Sequence, residues 1–470
     1  MTEAKIKFGT SGWRGIISDD FTFEGVRRVA GAIALYLKEK ERSTVKNGVI
    51  IGYDTRFLSE KFAAAAAGIL SASGVKVYLT GRDTPTPVLS YEIIKRKLAG
   101  GINITASHNP PEYNGLKFSP SSGGPALPET TKLIEQYTND ALLVVPSEDN
   151  KNIVSLEPRQ PYLKLIKDKI DFKTIKKAKL KTGVDLLYGT GREYLDVLLA
   201  GSCAKVSVLH NYRDVNFGGG SPEPSEERLA GLRTAIRKEK LDIGLATDGD
   251  ADRYGIIDRN GAFVTPNEIL PLLMVYLKKS RGWKGCVVRT VATTHFVDAL
   301  AKKYSIEVRE TPVGFKYIGE IMMKEPMIIG GEESGGLTIY KHIPEKDGIL
   351  ACLLVLEMVA AEKKTIREIL NKFYGEVGYF TTGKRNVILT GAKKEKLIEA
   401  LKKKPPEKFG SYQVEKLITL DGYKFLLGGN TWLMIRLSGT EPLVRLYAEA
   451  DSDRHLNEIV KLGEKYILSF

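Results

Sequence analysis

With 470 residues, 43% of them hydrophobic, the chain is longer than one hydrophobic core can fill, so three or four domains are expected. No apolar run approaches the roughly 18 residues that span a bilayer, and the opening MTEAKIKFGTSG lacks the apolar region of a secretory signal, which predicts a cytoplasmic protein with no membrane partner. Cys203, Cys286 and Cys352 stand far apart in no C-x-x-C pair and suggest neither a disulfide framework nor a zinc site; the net charge of +13 comes without a nucleic-acid-reading motif, so it suits an anionic small substrate rather than DNA or RNA.

One succession recurs three times: strand, helix, strand, helix, strand, then a polar loop. It runs first from NGVIIGYDTR through FLSEKFAAAAAGILSASG, VKVYLTG and PVLSYEIIKRKL to GGINITA, ending in the loop SHNPPEYNG. The second copy runs from LKTGVDLLYGTG to LDIGLAT and the loop DGDADR, and the third from GCVVRTVATT to PMIIGG and the loop EESGG. Strands alternating with helices predict mainly parallel sheets covered on both faces, which bind ligands beyond the carboxyl ends of their strands. After about residue 371, YFTTGKRNVIL, YQVEKLITLDGYKFLLG and TWLMIRLSGTEPLVRLYAEAD read as an antiparallel sheet with helices. The predicted architecture is therefore three similar α/β domains (1–150, 151–258 and 259–371) and a C-terminal α+β domain (372–470) around a central cleft.

Four constellations carry chemistry. Asp248, Asp250 and Asp252 alternate just past a strand, where a tight loop can turn three carboxylates toward one hard cation such as Mg²⁺. The EF-hand reading fails, because its sixth and twelfth positions need Gly and Glu, and Arg253 and Arg259 stand there. Ser438, Gly439 and Thr440 form a turn able to nest an anion, with Arg436 and Arg445 on the flanking strands supplying forked donors for phosphate oxygens. Glu332 and Ser334, beside a glycine-rich bend, offer the carboxylate and hydroxyl that would hold sugar hydroxyls. Arg14 lies between glycines in FGTSGWRG, placed to enter a cleft or to cap a loop.

In NITASHNPPEYNGLKF, Ser107 and His108 are neighbours whose side chains diverge in extended backbone, a poor geometry for a serine-hydrolase pair, and no G-x-S-x-G elbow surrounds Ser107. A phosphorylated Ser107 would instead use every other constellation: a metal for one oxygen, cationic side chains for the rest and a nest for a second phosphate. The set points to phosphoryl transfer on a phosphorylated sugar. A catalytically silent sugar-phosphate sensor and a phosphatase are the competing readings.

TASHNP (105–110), DGDADR (248–253), GEESGG (331–336) and RLSGTEP (436–442) resemble, in that order, the four signature loops of the α-D-phosphohexomutases, and the resemblance spans essentially the whole chain. It implies one Mg²⁺, a phosphoserine at Ser107, and a hexose 1,6-bisphosphate intermediate, with glucose 1,6-bisphosphate as activator. It also implies that Asp248, Asp250 and Asp252 hold the metal with the phosphate on Ser107, and that Arg14, His108, Lys117 and Arg253 surround the phosphoryl group, with Lys117 as general acid/base. Glu332 and Ser334 would bind sugar hydroxyls, and Arg436, Ser438, Gly439, Thr440 and Arg445 the non-transferring phosphate. TPVGFK (311–316) resembles a further sugar-contacting loop. Members acting on both glucose and mannose often carry His where this chain has Gly336, so the GEES form looks more like phosphoglucomutases. The expected enzyme is a phosphoglucomutase/phosphomannomutase working on a phosphosugar as a monomer or homodimer, with phosphoglucosamine mutase as the alternative.

Overall fold

The computed structural model describes residues 5–9, 12–140, 143, 145–437 and 443–470. These fall into two compact units, one made of residues 1–266, 318–325 and 334–366, the other of 267–317, 326–333 and 367–470.

In the first unit, the strands Val49–Tyr53, Val77–Thr80 and Gly100–Ile104 lie side by side in parallel, with Val49–Tyr53 central. Their apolar composition fits strands covered on both faces. Two antiparallel strands the sequence reading did not anticipate, Tyr113–Pro120 and Trp13–Ile16, extend the sheet on one side. On the other, Ile153–Leu156 pairs parallel with Val77–Thr80, so a strand past the expected boundary at residue 150 completes the first sheet. Helix Phe23–Lys40 starts at Thr22, whose Oγ1 accepts from Gly25 N at 3.1 Å. Such a cap is worth about 1 kcal/mol. The helix buries Val26, Val29, Ile33 and Leu37 against Phe62, Ile51 and Leu116 in one core.

The second sheet of this unit has Lys181–Asp185 at its centre, parallel to Lys205–Leu209 and Ile243–Thr247; Tyr254–Asp258 and Phe263–Val264 follow antiparallel. The last strand lies beyond the expected boundary at residue 258. Helix Gly348–Glu362 is buried on nearly every side and packs on helix Phe172–Ala178 and on the strands Ile243–Thr247 and Tyr254–Asp258. The sequence assigns this helix to the 259–371 domain. Its uniformly apolar surface requires enclosure, and the enclosure comes from the second sheet.

In the second unit, Cys286–Thr290 lies between Glu307–Thr311 and Met327–Gly331, all parallel. A separate antiparallel sheet runs in the order Thr381–Ile388, Leu443–Ala450, Trp432–Leu437, Tyr423–Leu426, Lys416–Ile418, as expected for a C-terminal α+β domain. Helix Asp453–Leu468 packs against it.

Candidate active site

Ser107 follows the strand Gly100–Ile104. It is 2% exposed and held at a φ of 54°, a left-handed conformation that costs a non-glycine residue roughly 1–2 kcal/mol. The strain is over-determined by its surroundings. Thr105 Oγ1 accepts from Ser107 N at 2.8 Å. Arg56, fully buried, donates to the carbonyls of Ser107 (2.7 Å), Asn109 (2.6 Å), Pro110 (2.7 Å) and Tyr113 (2.9 Å). Its Nε is fixed by Asp54 Oδ2 at 3.0 Å. One guanidinium thus shapes the whole loop and aims Ser107 Oγ at Asp248 Oδ2, 3.2 Å away.

The aspartate loop after the strand Ile243–Thr247 meets it. A Cβ on Gly249 would lie 2.9 Å from the Ser107 carbonyl oxygen, so only glycine allows the two loops this approach. Asp248, Asp250 and Asp252 are all buried, and one oxygen from each lies within 4.8 Å of the others. Asp250 Oδ2 accepts from Lys117 Nζ at 2.7 Å and from Thr86 Oγ1 at 2.6 Å. Asp250 Oδ1 and Asp252 Oδ1, both buried, accept no hydrogen bond among the described residues. Buried carboxylate oxygens without donors are costly, and an all-oxygen set of this kind fits a small divalent cation. The residues present therefore fit Mg²⁺.

Burial, reinforced by Asp250 and Asp252, pushes the Asp248 carboxyl well above the usual carboxylate range. Burial acts the same way on Asp250, but Lys117, Thr86 and Lys346 outweigh it and hold that carboxyl low. Arg14 donates to Asn109 Oδ1 at 2.7 Å, and burial and Arg253 lower its guanidinium to about 10. Burial, then Arg253 and Arg14, hold His108 well below its ordinary value, so it is a neutral imidazole at physiological pH. Cations that depress one another mark a place built for an anion. Arg253 is anchored by its own amide, which donates to Asp248 Oδ1 at 2.9 Å.

The sequence reading missed Thr86, Arg56 and Lys346, whose Nζ lies 3.1 Å from Asp252 Oδ2 and 2.7 Å from Glu345 Oε1. Lys346 directly precedes Asp347, the N-cap of helix Gly348–Glu362, and only the packing of that helix brings it to the aspartates. A cavity of about 40 Å³ lined by Thr86, Asn103, Lys117, Glu345 and Lys346 adjoins Lys117. It has room for water. Ser334 belongs to this same unit.

Glu332, Arg436 and Arg445 belong to the second unit. Glu332 is 8% exposed, and its Oε1 accepts from Gly314 N at 3.0 Å, tying it to the 311–316 loop. Arg436 and Arg445 sit directly opposite each other on neighbouring antiparallel strands, where like charges are unfavourable unless an anion joins them. Ser438, Gly439 and Thr440, expected to nest that anion, lie outside the described residues.

A buried polar cluster in this unit has no counterpart in the sequence reading. Lys424 Nζ lies 4.0 Å from the Trp432 ring centroid, donates to Val291 O at 2.8 Å and to His295 Nε2 at 2.8 Å. Trp432 Nε1 in turn donates to Glu449 Oε1 at 2.7 Å. As acceptor from Lys424, His295 is neutral; burial, then Lys424 and Arg289, push its pKa down to about 2. A histidine that resists protonation only when folded supports the fold fully above its unfolded pKa near 6.5 and progressively less as pH falls, at about 1.36 kcal/mol per pH unit. His295→Gln, which keeps an acceptor but cannot titrate, is expected to flatten the decline of Tm between about pH 6.5 and 4.5. Parallel Tm curves for the two proteins would remove His295 from the account.

Four family models match successive segments of the chain: phosphoglucomutase/phosphomannomutase alpha/beta/alpha domain I over residues 5–143, domain II over 160–261, domain III over 265–377, and the C-terminal domain over 385–462. A phosphoglucomutase/phosphomannomutase of Thermococcus kodakarensis is 30% identical over 465 residues, covering 98% of each chain. A phosphoglucosamine/phosphogalactosamine mutase of Sulfurisphaera tokodaii is also 30% identical over 465 residues, again with 98% of each chain covered. A crystal structure from Thermus thermophilus, whose name assigns it provisionally to the phosphomannomutases, superposes with a TM-score of 0.86 at 33% identity, covering 99% of each chain. Four domain matches in sequence order, and relatives aligned from end to end, establish that the chain belongs to the phosphoglucomutase/phosphomannomutase family of mutases.

Proposed function

We propose that the protein interconverts hexose 1-phosphate and hexose 6-phosphate, glucose being preferred and mannose accepted, through a phosphoserine at Ser107 and a 1,6-bisphosphate intermediate. The observation that carries this reading is Ser107 Oγ at 3.2 Å from Asp248 Oδ2, one carboxylate of a buried triad whose Asp250 accepts from Lys117. In the forward direction the bond between phosphorus and Ser107 Oγ breaks as a bond to the sugar's 6-oxygen forms, and the 6-hydroxyl proton is relayed by Lys117 Nζ, which gives one proton to the freed Ser107 Oγ and takes one from the hydroxyl. After the sugar turns, the 1-phosphoryl group moves back to Ser107 Oγ, and the Ser107 proton passes by the same relay to the freed 1-oxygen. Arg14 and Arg253 neutralise the transferring group, and neutral His108 can donate to it without adding charge. Mg²⁺, when bound by Asp248, Asp250 and Asp252, supplies further charge neutralisation. Arg436 and Arg445 grip the phosphate that does not react, and Glu332 and Ser334 the sugar hydroxyls.

A sensor would need none of this machinery, and a phosphatase would lose the bisphosphate. Conversion of glucose 1-phosphate, with free phosphate measured alongside, separates the three: isomerisation without phosphate release supports the mutase. The amino-sugar names among the relatives keep glucosamine 1-phosphate as the rival substrate. Glu332 and Ser334 are assigned to the 3- and 4-hydroxyls, which glucose and mannose share, and Gly336 offers no side chain to sense C2. Glucose and mannose 1-phosphates are therefore expected to differ by about tenfold or less in kcat/KM, the scale of one hydrogen bond. Glucosamine 1-phosphate should be slower, its ammonium entering a strongly cationic site. If it wins by more than about tenfold, the amino-sugar reading replaces this one.

A further inference from the structure

Asp421 lies in the turn between strands Lys416–Ile418 and Tyr423–Leu426, and its Oδ2 accepts two hydrogen bonds at 3.0 Å. One comes from Arg436 Nε and the other from the backbone N of Val313. The first partner is an arginine of the phosphate cluster; the second is in the 311–316 loop, whose next residue, Gly314, donates to Glu332. Gly422 makes the contact possible. It holds a φ of +91°, and a Cβ there would lie 2.7 Å from the Ile435 carbonyl and 3.2 Å from Arg436 Cα, so the turn can lie flat against the strand bearing Arg436 only with glycine. The Val313 side chain packs against the cluster of Val291, Ala292, Trp432, Met434 and Tyr447, which holds the loop from its other side.

One carboxylate oxygen therefore joins the arginine to the sugar loop. On the reading that Arg436 holds the non-transferring phosphate, we propose that Asp421 is a positioning residue that fixes the distance between that phosphate and the sugar loop, and so governs binding of the substrate in both of its orientations. A guanidinium anchored through Nε presents its remaining donors in one direction, and preorganisation of that kind lowers the cost of binding. Because Asp421 acts on binding and not on the reacting phosphoryl group, its loss should appear in KM rather than in kcat.

The test uses full-length Asp421→Ala, Asp421→Asn, Arg436→Gln and the Asp421→Ala/Arg436→Gln double variant, assayed with glucose 1-phosphate. Asp421→Ala should raise KM about tenfold and change kcat about twofold or less, and Asp421→Asn, which keeps an accepting oxygen but not the charge, should fall between it and the parent. In the Arg436→Gln background, Asp421→Ala should raise KM no further, the non-additivity expected of residues acting as a unit. Multiplying effects, or a lowered Tm with unchanged KM, would overturn the proposal while leaving Arg436 in its role. A parental KM for Arg436→Gln would instead overturn the assignment of Arg436 itself, and the proposal with it.

Discussion

Ser107→Ala is expected to lower hexose 1-phosphate isomerisation by at least about 10⁴-fold, the order reached when a covalent nucleophile is deleted, and to remove the mass of one phosphoryl group from the intact protein. The substitution should leave the fold in place. Alanine tolerates the φ of 54° no worse than serine, and the loop is held through backbone groups by Thr105 and Arg56. Among the described residues, the side-chain hydrogen bond given up is the one to Asp248, so Tm should move by a few degrees at most. The rival acceptor is next door: His108 is half-buried, its pKa held well below the ordinary value by burial of its ring and by Arg253 and Arg14, and its Nδ1 makes no hydrogen bond among the described residues. The two are chemically separable, because a phosphoserine survives acid and a phosphohistidine does not. An adduct that survives acid, is lost in Ser107→Ala and persists in His108→Gln places the phosphoryl group on Ser107. Retention of both adduct and activity in Ser107→Ala would sink the assignment.

The parallel strands were legible because a run such as VIIGY or IGLAT, bounded by turn residues and helical stretches, has few other ways to bury itself. Tyr113–Pro120 was not. Its YNGLK opening mixes glycine and polar residues, and its pairing depends on a sheet edge that local sequence does not encode. Helix Gly348–Glu362 showed by its composition that it is enclosed, but composition carries no information on which sheet encloses it. The same division runs through the site. Ser107 and the three aspartates belong to compact motifs, each sensible within a few residues. Lys346 and Thr86 touch the aspartates only through long-range packing, and the Asp421 link to Arg436 depends on a hairpin folding a turn back onto its neighbouring strand. Nor does the sequence signal the left-handed Ser107, where no glycine or asparagine marks the strain; that conformation is imposed by Arg56, far earlier in the chain.

Asp250→Asn should weaken Mg²⁺ binding more than the about 10- to 100-fold caused by losing an outer partner of a metal ligand, and should abolish most activity at low Mg²⁺ while partly restoring it at high Mg²⁺. Two functions meet in this carboxylate. Oδ1 accepts no hydrogen bond among the described residues, whereas Oδ2 holds Lys117 and Thr86. An asparagine of the same shape can keep the Thr86 contact, but it removes the charge that fixes Lys117, whose remaining ion pair among the described residues is the 3.5 Å contact to Asp252. The response of Tm to Mg²⁺ distinguishes this account from general damage. Without a cation, three buried carboxylates within 4.8 Å repel one another, and the raised Asp248 carboxyl reflects that repulsion after burial itself. Asp250 itself is held in its charged form by Lys117, Thr86 and Lys346, so Asp250→Asn should leave the metal-free Tm unchanged or lower. Added Mg²⁺ should raise the parent's Tm as any ligand of the folded state does, by about 2.7 kcal/mol of stabilisation at a hundredfold excess over Kd. The variant should need far more Mg²⁺ for the same rise. A variant whose Tm responds to Mg²⁺ with the parent's midpoint would show that Asp250 is not a ligand, and its lost activity would then have to come from Lys117 alone.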